Sequence, residues 1–335
     1  MLRRLLTMSG YCPSLLIVTY HYVRDPGDVR YPGIHPVSMQ RFRNDLARLG
    51  EHGTFVTPSE AEKFLTGGGG HDGPQILITF DDGLQDHWRA AQQALDPLGI
   101  KGAFFVSSRP LTEQRALLVN KLQYLRSITP PEAFRSRFLS LVPPEAALLA
   151  VQPAFRAKAC GVYVHDSEED ACVKYLANFS LGYDDTEMVV DELLAECGVS
   201  ETVLCDELYM NPDQMRSLHN DGHMIACHGH THRPLGTLLL EEMDAEVSTN
   251  RDALHGILGE RPGWISFPYV RGDAIPQDTE RLCETFDFRV ALTLMSDWNV
   301  AGQDPLRVCR VTENQYAGLL KDIPRMADVS SRRVA

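Results

Sequence analysis

The sequence predicts an α/β protein in which about seven parallel strands form a sheet covered by helices. Short apolar runs alternate with amphipathic segments of helical period along most of the chain, the pattern of repeated β-then-α units. The run before Asp81 is continuously apolar or β-branched, as strands buried on both faces are. Residues able to do chemistry recur where such runs stop: Asp81 and Asp82 in one place, His228, His230 and His232 in another. An open sheet and a barrel both satisfy the alternation. Reactive side chains gathered at strand ends favour the barrel, whose active sites lie on that face.

Leu15–Thr19 reads as the first strand. Ser38 can cap a helix running to about Leu49, with Phe42, Leu46 and Leu49 on one face. Pro58–Leu65 forms a short helix, and Gly67–Gly70 a surface turn. After the acid-bearing strand, a helix from about Gln85 to Leu98 is closed by Gly99, and Gly102–Val106 is another buried strand. From Leu111 to about Cys205 the pattern is mostly helical, with Leu117, Leu118, Leu122 and Leu125 at helical spacing and Val162–Val164 the one strand-like run. Residues 111–205 are therefore expected to be a helical insertion or lid. Residues 1–110 and 206–320 together make the barrel, and 321–335 a flexible tail. Asn211-Pro212 opens the next helix by cap and proline. His223–Cys227, Gly263–Phe267, Phe288–Thr293 and Arg307–Val311 are the remaining strands, and Leu239 to Ile257 marks a long amphipathic helix.

The chain has 335 residues, 44% of them hydrophobic, enough for one large domain or two small ones. A formal net charge of −13 argues against nucleic acid or an anionic membrane surface as the main partner. No stretch approaches the roughly 20 apolar residues of a membrane span. The N-terminal residues carry Arg3 and Arg4 but too short an apolar run for a secretory signal, and Pro13 interrupts it. The eight cysteines are scattered without a C-x-x-C pair. Read as buried free thiols, they point to a reducing compartment. The expected location is the cytoplasm.

Asp81 and Asp82 are adjacent, and neighbours on a regular strand face opposite ways. They can share a pocket only where the strand is ending and the backbone turns, which Gly83 permits. Acids in this place also suit the dipole of a following helix. His228 and His232 are four apart, so a helical turn would face them the same way, while His230 points elsewhere. Two imidazoles and a strand-end carboxylate are a ligand set that leaves coordination positions open for water and a substrate carbonyl.

Thr79-Phe-Asp-Asp-Gly83 resembles the first motif of the polysaccharide deacetylases with a NodB homology domain, carbohydrate esterase family four. His228-Gly-His-Thr-His232 resembles their second motif, Ser266-Phe-Pro-Tyr269 the third, and Asp297-Trp298 the fourth. The resemblance implies an irregular, NodB-like (β/α) barrel. It implies that Asp81 is the general base and that Asp82, His228 and His232 hold one divalent metal ion. Zn2+ heads the candidates for this donor set, with Co2+, Ni2+, Fe2+ or Mn2+ also suited. The Tyr269 N–H would bind the oxyanion, and Pro268, Asp297 and Trp298 would contact substrate, Trp298 lining the pocket for the acetyl methyl.

The chain departs from the family pattern in three places. Ser266 stands where an arginine near the catalytic acid often begins the third motif, and Arg271 is the nearby substitute. Val270 replaces a glycine. No Leu-x-His motif lies near the C-terminus to supply the proton donor. Tyr20-His21, directly after the first strand, resembles the permuted order of the poly-N-acetylglucosamine deacetylases, which makes His21 the expected donor.

The expected function is a metal-dependent hydrolase that removes an N-acetyl, less readily an O-acetyl, group from an amino sugar or saccharide. The expected cytoplasmic location extends the class to nucleotide- or lipid-linked sugars. Two other readings remain open: a C–N hydrolase of a non-sugar amide or cyclic imide, and a catalytically silent carbohydrate-binding protein.

Overall fold

The structure, a computed structural model, describes residues 13–25, 27, 30–31, 33–69, 71, 73–164, 166–269 and 275–322. Two compact units divide the chain. The first is Met1–Asp25, Pro36–Thr112 and Leu208–Ala335; the second is Pro26–His35 and Glu113–Glu207.

Among the described residues the first unit carries one sheet of nine strands: β1 (Ser14–Tyr20), β2 (Thr54–Phe55), β3 (Pro74–Phe80), β4 (Ala103–Val106), β5 (Met224–Cys227), β6 (Trp264–Ser266), β7 (Val290–Leu292), β8 (Asn299–Val300) and β9 (Val311–Thr312). The order is β7-β6-β5-β4-β3-β1-β8, with β2 beside β3 and β9 beside β1. Every pairing is parallel except β1 with β8. The sheet curls because the segment before β9 lines the edge of β7: Ala291 N–H donates to Pro305 O at 2.9 Å and Thr293 N–H to Val308 O at 2.8 Å. β9 then pairs with β1. The result is an irregular (β/α) barrel of the kind the sequence predicts.

Period two sorts the strand residues. Leu15 and Ile17 of β1 pack with Leu77, Phe105, Trp264, Val290 and Val308 in one apolar cluster. Leu16, Val18 and Tyr20 pack with Ile76, Ile78 and Phe80 in another, which includes Leu46, Leu95, Leu218 and Val247 from the surrounding helices. The first cluster is the barrel interior. The helix Pro58–Leu65 plugs it with Ala61, Phe64 and Leu65.

The sequence misjudges the sheet in two respects. It misses β2 and β8, which are two residues each and too short to show a period. It also reads Arg307–Val311 as one strand, whereas the segment makes a single bridge at Val308 before β9 begins. The buried Asn299 side chain accounts for the break. Its amide accepts from Cys309 N–H at 2.8 Å and donates to Cys309 O at 2.9 Å, taking the place of a ladder partner.

Helix boundaries follow local chemistry. Ser38 Oγ accepts from Arg41 N–H and opens Met39–His52. Asn211 and Gln214 form a capping box ahead of Pro212–Asn220. The expected helix from Gln85 is α-helical to Ala90, a π-turn to Leu95 and a 3-10 turn to Leu98, and it ends at Gly99 with φ 69°.

The second unit is helical, its longest elements being Leu118–Ile128, Pro131–Leu141, Pro153–Val162 and Tyr183–Glu196. Val162 ends a helix and packs beside Ala159, Cys172 and Tyr175, so Val162–Val164 is no strand. Lys121 is fully buried and bonded to Asp191 at 2.7 Å, Glu187 at 3.2 Å and Glu201 at 2.5 Å. The 26–35 segment, which the sequence assigns to the barrel, belongs here: Tyr31 N–H donates to Ser127 O at 3.0 Å. No helix among the described residues is long and apolar enough to cross a membrane.

Candidate active site

Parallel strands deliver their C-terminal ends to one rim, and the residues singled out above leave from that rim. His21 follows β1, Asp81 and Asp82 follow β3, the histidine loop follows β5, and Phe267–Tyr269 follows β6. Asp81 keeps the inward parity of Leu77 and Thr79, and its N–H still pairs with Tyr20 O at 3.2 Å. A regular strand would then turn Asp82 outward. Instead Asp82 and Gly83 are both left-handed, with φ of 78° and 80°, and the turn brings the second carboxylate to the same pocket. A side chain at 83 would be strained and would place its Cβ 2.8 Å from Val106 Cγ1.

Asp82 Oδ1 lies 3.6 Å from His228 Nε2 and 3.3 Å from His232 Nε2. One ligand atom from each of the three residues falls within 4.8 Å of the others, and all three residues are buried. The sequence expects a helical turn to face the two histidines together. The structure uses a loop instead, with Gly229 at φ 75° and His232 at φ 64°. A histidine in that region is uncommon and costs on the order of 1 kcal/mol or more, which the surroundings must impose. His228 Nδ1 hydrogen-bonds Ser266 O at 2.8 Å. A carbonyl can only accept, so Nδ1 carries a proton, and Nε2, the nitrogen facing Asp82, is the one left to bind a metal ion. Burial alone would raise the Asp82 carboxyl, but His228 and His232 hold it well below the usual range. Two imidazole nitrogens and an ionised carboxylate converging in this way fit a divalent cation.

Asp81 stands beside this set, its Oδ2 4.0 Å from His228 Nε2. Its partner is Arg310, which the sequence reading does not identify. Arg310 Nη1 and Nη2 donate to the two Asp81 oxygens at 2.7 and 2.8 Å, and Nη2 also donates to Ser266 Oγ at 2.6 Å. Burial would raise the Asp81 carboxyl; the guanidinium, and then His228, outweigh it and hold it at about 2. Arg310 is fully buried, lies over the Phe105 ring and donates from Nε to Thr293 O. The serine that replaces the expected arginine in the third motif is thus in contact with an arginine from another strand end. The only trace in the sequence is one cation inside the apolar run Val308 to Val311.

The His21 carbonyl accepts from His87 Nε2 at 2.9 Å, which fixes the backbone just past β1. Tyr269 is left-handed at φ 53°, and its ring centroid is 4.8 Å from that of His232. Pro268 Cγ would lie 3.8 Å from a Cβ at Gly229, so Pro268 sits against the histidine loop. Trp298 is buried in the outer core and donates its indole N–H to Leu319 O at 3.2 Å. Asp297 is exposed and accepts from Trp298 N–H at 2.8 Å. Arg271 and residues 323–335 of the expected tail lie outside the described residues.

His87 gives a pH prediction. Burial lowers it from its ordinary 6.5 to about 3, so it is neutral in the fold. The unfolded chain gains a proton near 6.5 that the folded chain does not take up until about 3. This contribution to stability is therefore complete above pH 6.5 and falls as the pH drops toward 3, by up to about 1.4 kcal/mol per pH unit. His87→Asn keeps a donor for the His21 carbonyl and does not titrate. Denaturant midpoints from pH 7 to about 4 should fall less steeply in the variant, and equal slopes would contradict the assignment.

The family model for polysaccharide deacetylase matches residues 176–290, a span that includes His228, His232 and Tyr269 but not the two aspartates. No curated protein matches the sequence significantly. Among solved structures, IcaB from Ammonifex degensii is similar with a TM-score of 0.56 and 17% identity, over 92% of this chain and 96% of that one. The deacetylase PplD of Streptococcus pyogenes, solved in complex with acetate, gives 0.55 and 14%, over 92% and 98%. The deacetylase domain of BpsB from Bordetella bronchiseptica gives 0.51 and 12%, over 89% and 95%. At these identities the likeness is one of fold.

Proposed function

We propose that the chain, which resembles the polysaccharide deacetylases in a family-model match over residues 176–290 and in its fold, is a metal-dependent hydrolase removing an N-acetyl group from an amino sugar or saccharide. One observation carries the reading: Asp82, His228 and His232 converge within 4.8 Å, and a second carboxylate, Asp81, stands 4.0 Å from His228 Nε2. A divalent cation held by Asp82, His228 and His232 would supply Lewis acidity, polarising the acyl carbonyl and acidifying water.

The chain's own residues do the rest. Asp81, held ionised by Arg310, takes the proton from the attacking water. The N–H of Tyr269, at a left-handed turn beside His232, faces the developing oxyanion. His21, beside Asp81 at the neighbouring strand end, gives a proton to the departing amine. Pro268, against the histidine loop, contacts the substrate. Zn2+ is the proposed ion, and a cytoplasmic saccharide, free or linked to a nucleotide or lipid, the proposed substrate.

The test is acetate release by the zinc-loaded protein from a panel of N-acetylated saccharides and nucleotide sugars, with an O-acetylated sugar and a cyclic imide as controls. Release from an N-acetylated member is the expected result. Ring opening of the imide without acetate would move the function to another class of C–N hydrolase. No turnover of any compound by protein carrying a full complement of metal would point to a binding protein.

A further inference from the structure

We propose that Glu246 and Asn250 are positioning residues that give the histidine loop its metal-binding shape. The inference rests on the metal reading above. The two residues are one turn apart on the helix Leu240–Leu258 and share a face. Both are buried, Glu246 7% and Asn250 0% exposed. Glu246 Oε2 accepts from the N–H of His230 at 3.0 Å and of Thr231 at 2.8 Å, while Oε1 accepts from Thr231 Oγ1 at 2.5 Å. Asn250 Oδ1 accepts from His228 N–H at 3.0 Å, and its Nδ2 donates to Val106 O at 2.9 Å. One helix face thus takes three N–H groups from the four residues between His228 and Thr231 and ties them to the end of β4.

The carbonyl side of the loop is held separately. Ser107 Oγ donates to His228 O and Arg109 N–H to His230 O, each at 3.0 Å. A loop gripped on both sides has little freedom, and that constraint accounts for His232. Its left-handed backbone is unfavourable for a histidine in isolation, yet it is what returns Nε2 to within 3.3 Å of Asp82. A carboxylate accepting several N–H groups is well suited to the task, because charge-assisted hydrogen bonds are about twice as strong as neutral ones. Gln in place of Glu246 would keep the volume but turn one acceptor into a donor facing donors.

The proposal is tested by titrating metal-free wild type, Glu246→Gln and Thr231→Val with Zn2+ against a competing chelator, with circular dichroism to establish folding. Glu246→Gln is expected to stay folded and bind zinc about 10- to 100-fold more weakly. Thr231→Val loses only the hydroxyl bond, so it is expected to weaken binding in the same direction but less, and it carries the test if Glu246→Gln does not fold. Wild-type affinity in the folded variants would overturn the positioning role and leave the proposed function standing. A wild type that binds no zinc would overturn both.

Discussion

Asp81→Asn is expected to retain stoichiometric metal and to lose turnover by about a hundredfold or more, the usual worth of a positioned general base. The Asp81 oxygens are occupied by Arg310, and its nearest approach to the histidine ligands is 4.0 Å, whereas Asp82 lies between both imidazoles. The amide keeps the size of the side chain but accepts protons poorly. Asp82→Ala and His228→Ala should behave differently, losing metal and activity together, since two remaining ligands rarely hold the ion. Metal content after desalting, measured with acetate release, separates the cases. Full activity in Asp81→Asn would remove the base from the mechanism; metal retained in Asp82→Ala would remove it from the ligand set.

Arg310→Met should have the second-largest effect, and on two quantities. The substitution leaves a buried carboxylate without its counter-charge, which destabilises by about 3–5 kcal/mol. It also frees Asp81 to leave the orientation fixed by the two parallel hydrogen bonds. Misplacement of a reacting group by an ångström can cost on the order of a hundredfold in rate, so kcat should fall on that scale in protein that remains folded. Arg310→Lys restores the charge but not the fork. It should recover most of the stability and only part of the rate. Denaturant unfolding and kcat on the same preparations check both, and a methionine variant with wild-type kcat would show that Arg310 only stabilises the fold.

The two groups of reactive residues differ in how visible they are along the chain. Asp81 and Asp82 follow seven buried strand residues, and the histidines follow another strand. A continuous apolar run that stops at acids or imidazoles is a local signal, readable without knowing what lies across the barrel. Arg310 offers no such signal. It is 229 residues from the carboxylate it serves, in a segment whose strand character is broken by the Asn299 side chain. Glu246 and Asn250 are hidden for another reason. They occupy polar positions of an amphipathic helix, where a buried acceptor and a solvated one read the same. The shape of the histidine loop is also silent in the sequence, since glycine alone advertises a left-handed backbone and the structure puts a histidine there.

The alternation of strands and helices, the helix caps, and the inventory of acids and imidazoles at strand ends are written locally along the chain. Each of these depends on residues within a few positions of one another, through backbone geometry, burial period or side-chain-to-backbone hydrogen bonding. Which polar groups meet is set by the folded arrangement: Arg310 with Asp81, Ser266 with both His228 and Arg310, and Glu246 with the loop that carries His232. The reason is that charge and hydrogen bonding act through space. The distances that set them come from sheet order and curl, in which β9 beside β1 brings the last strand to the first acid.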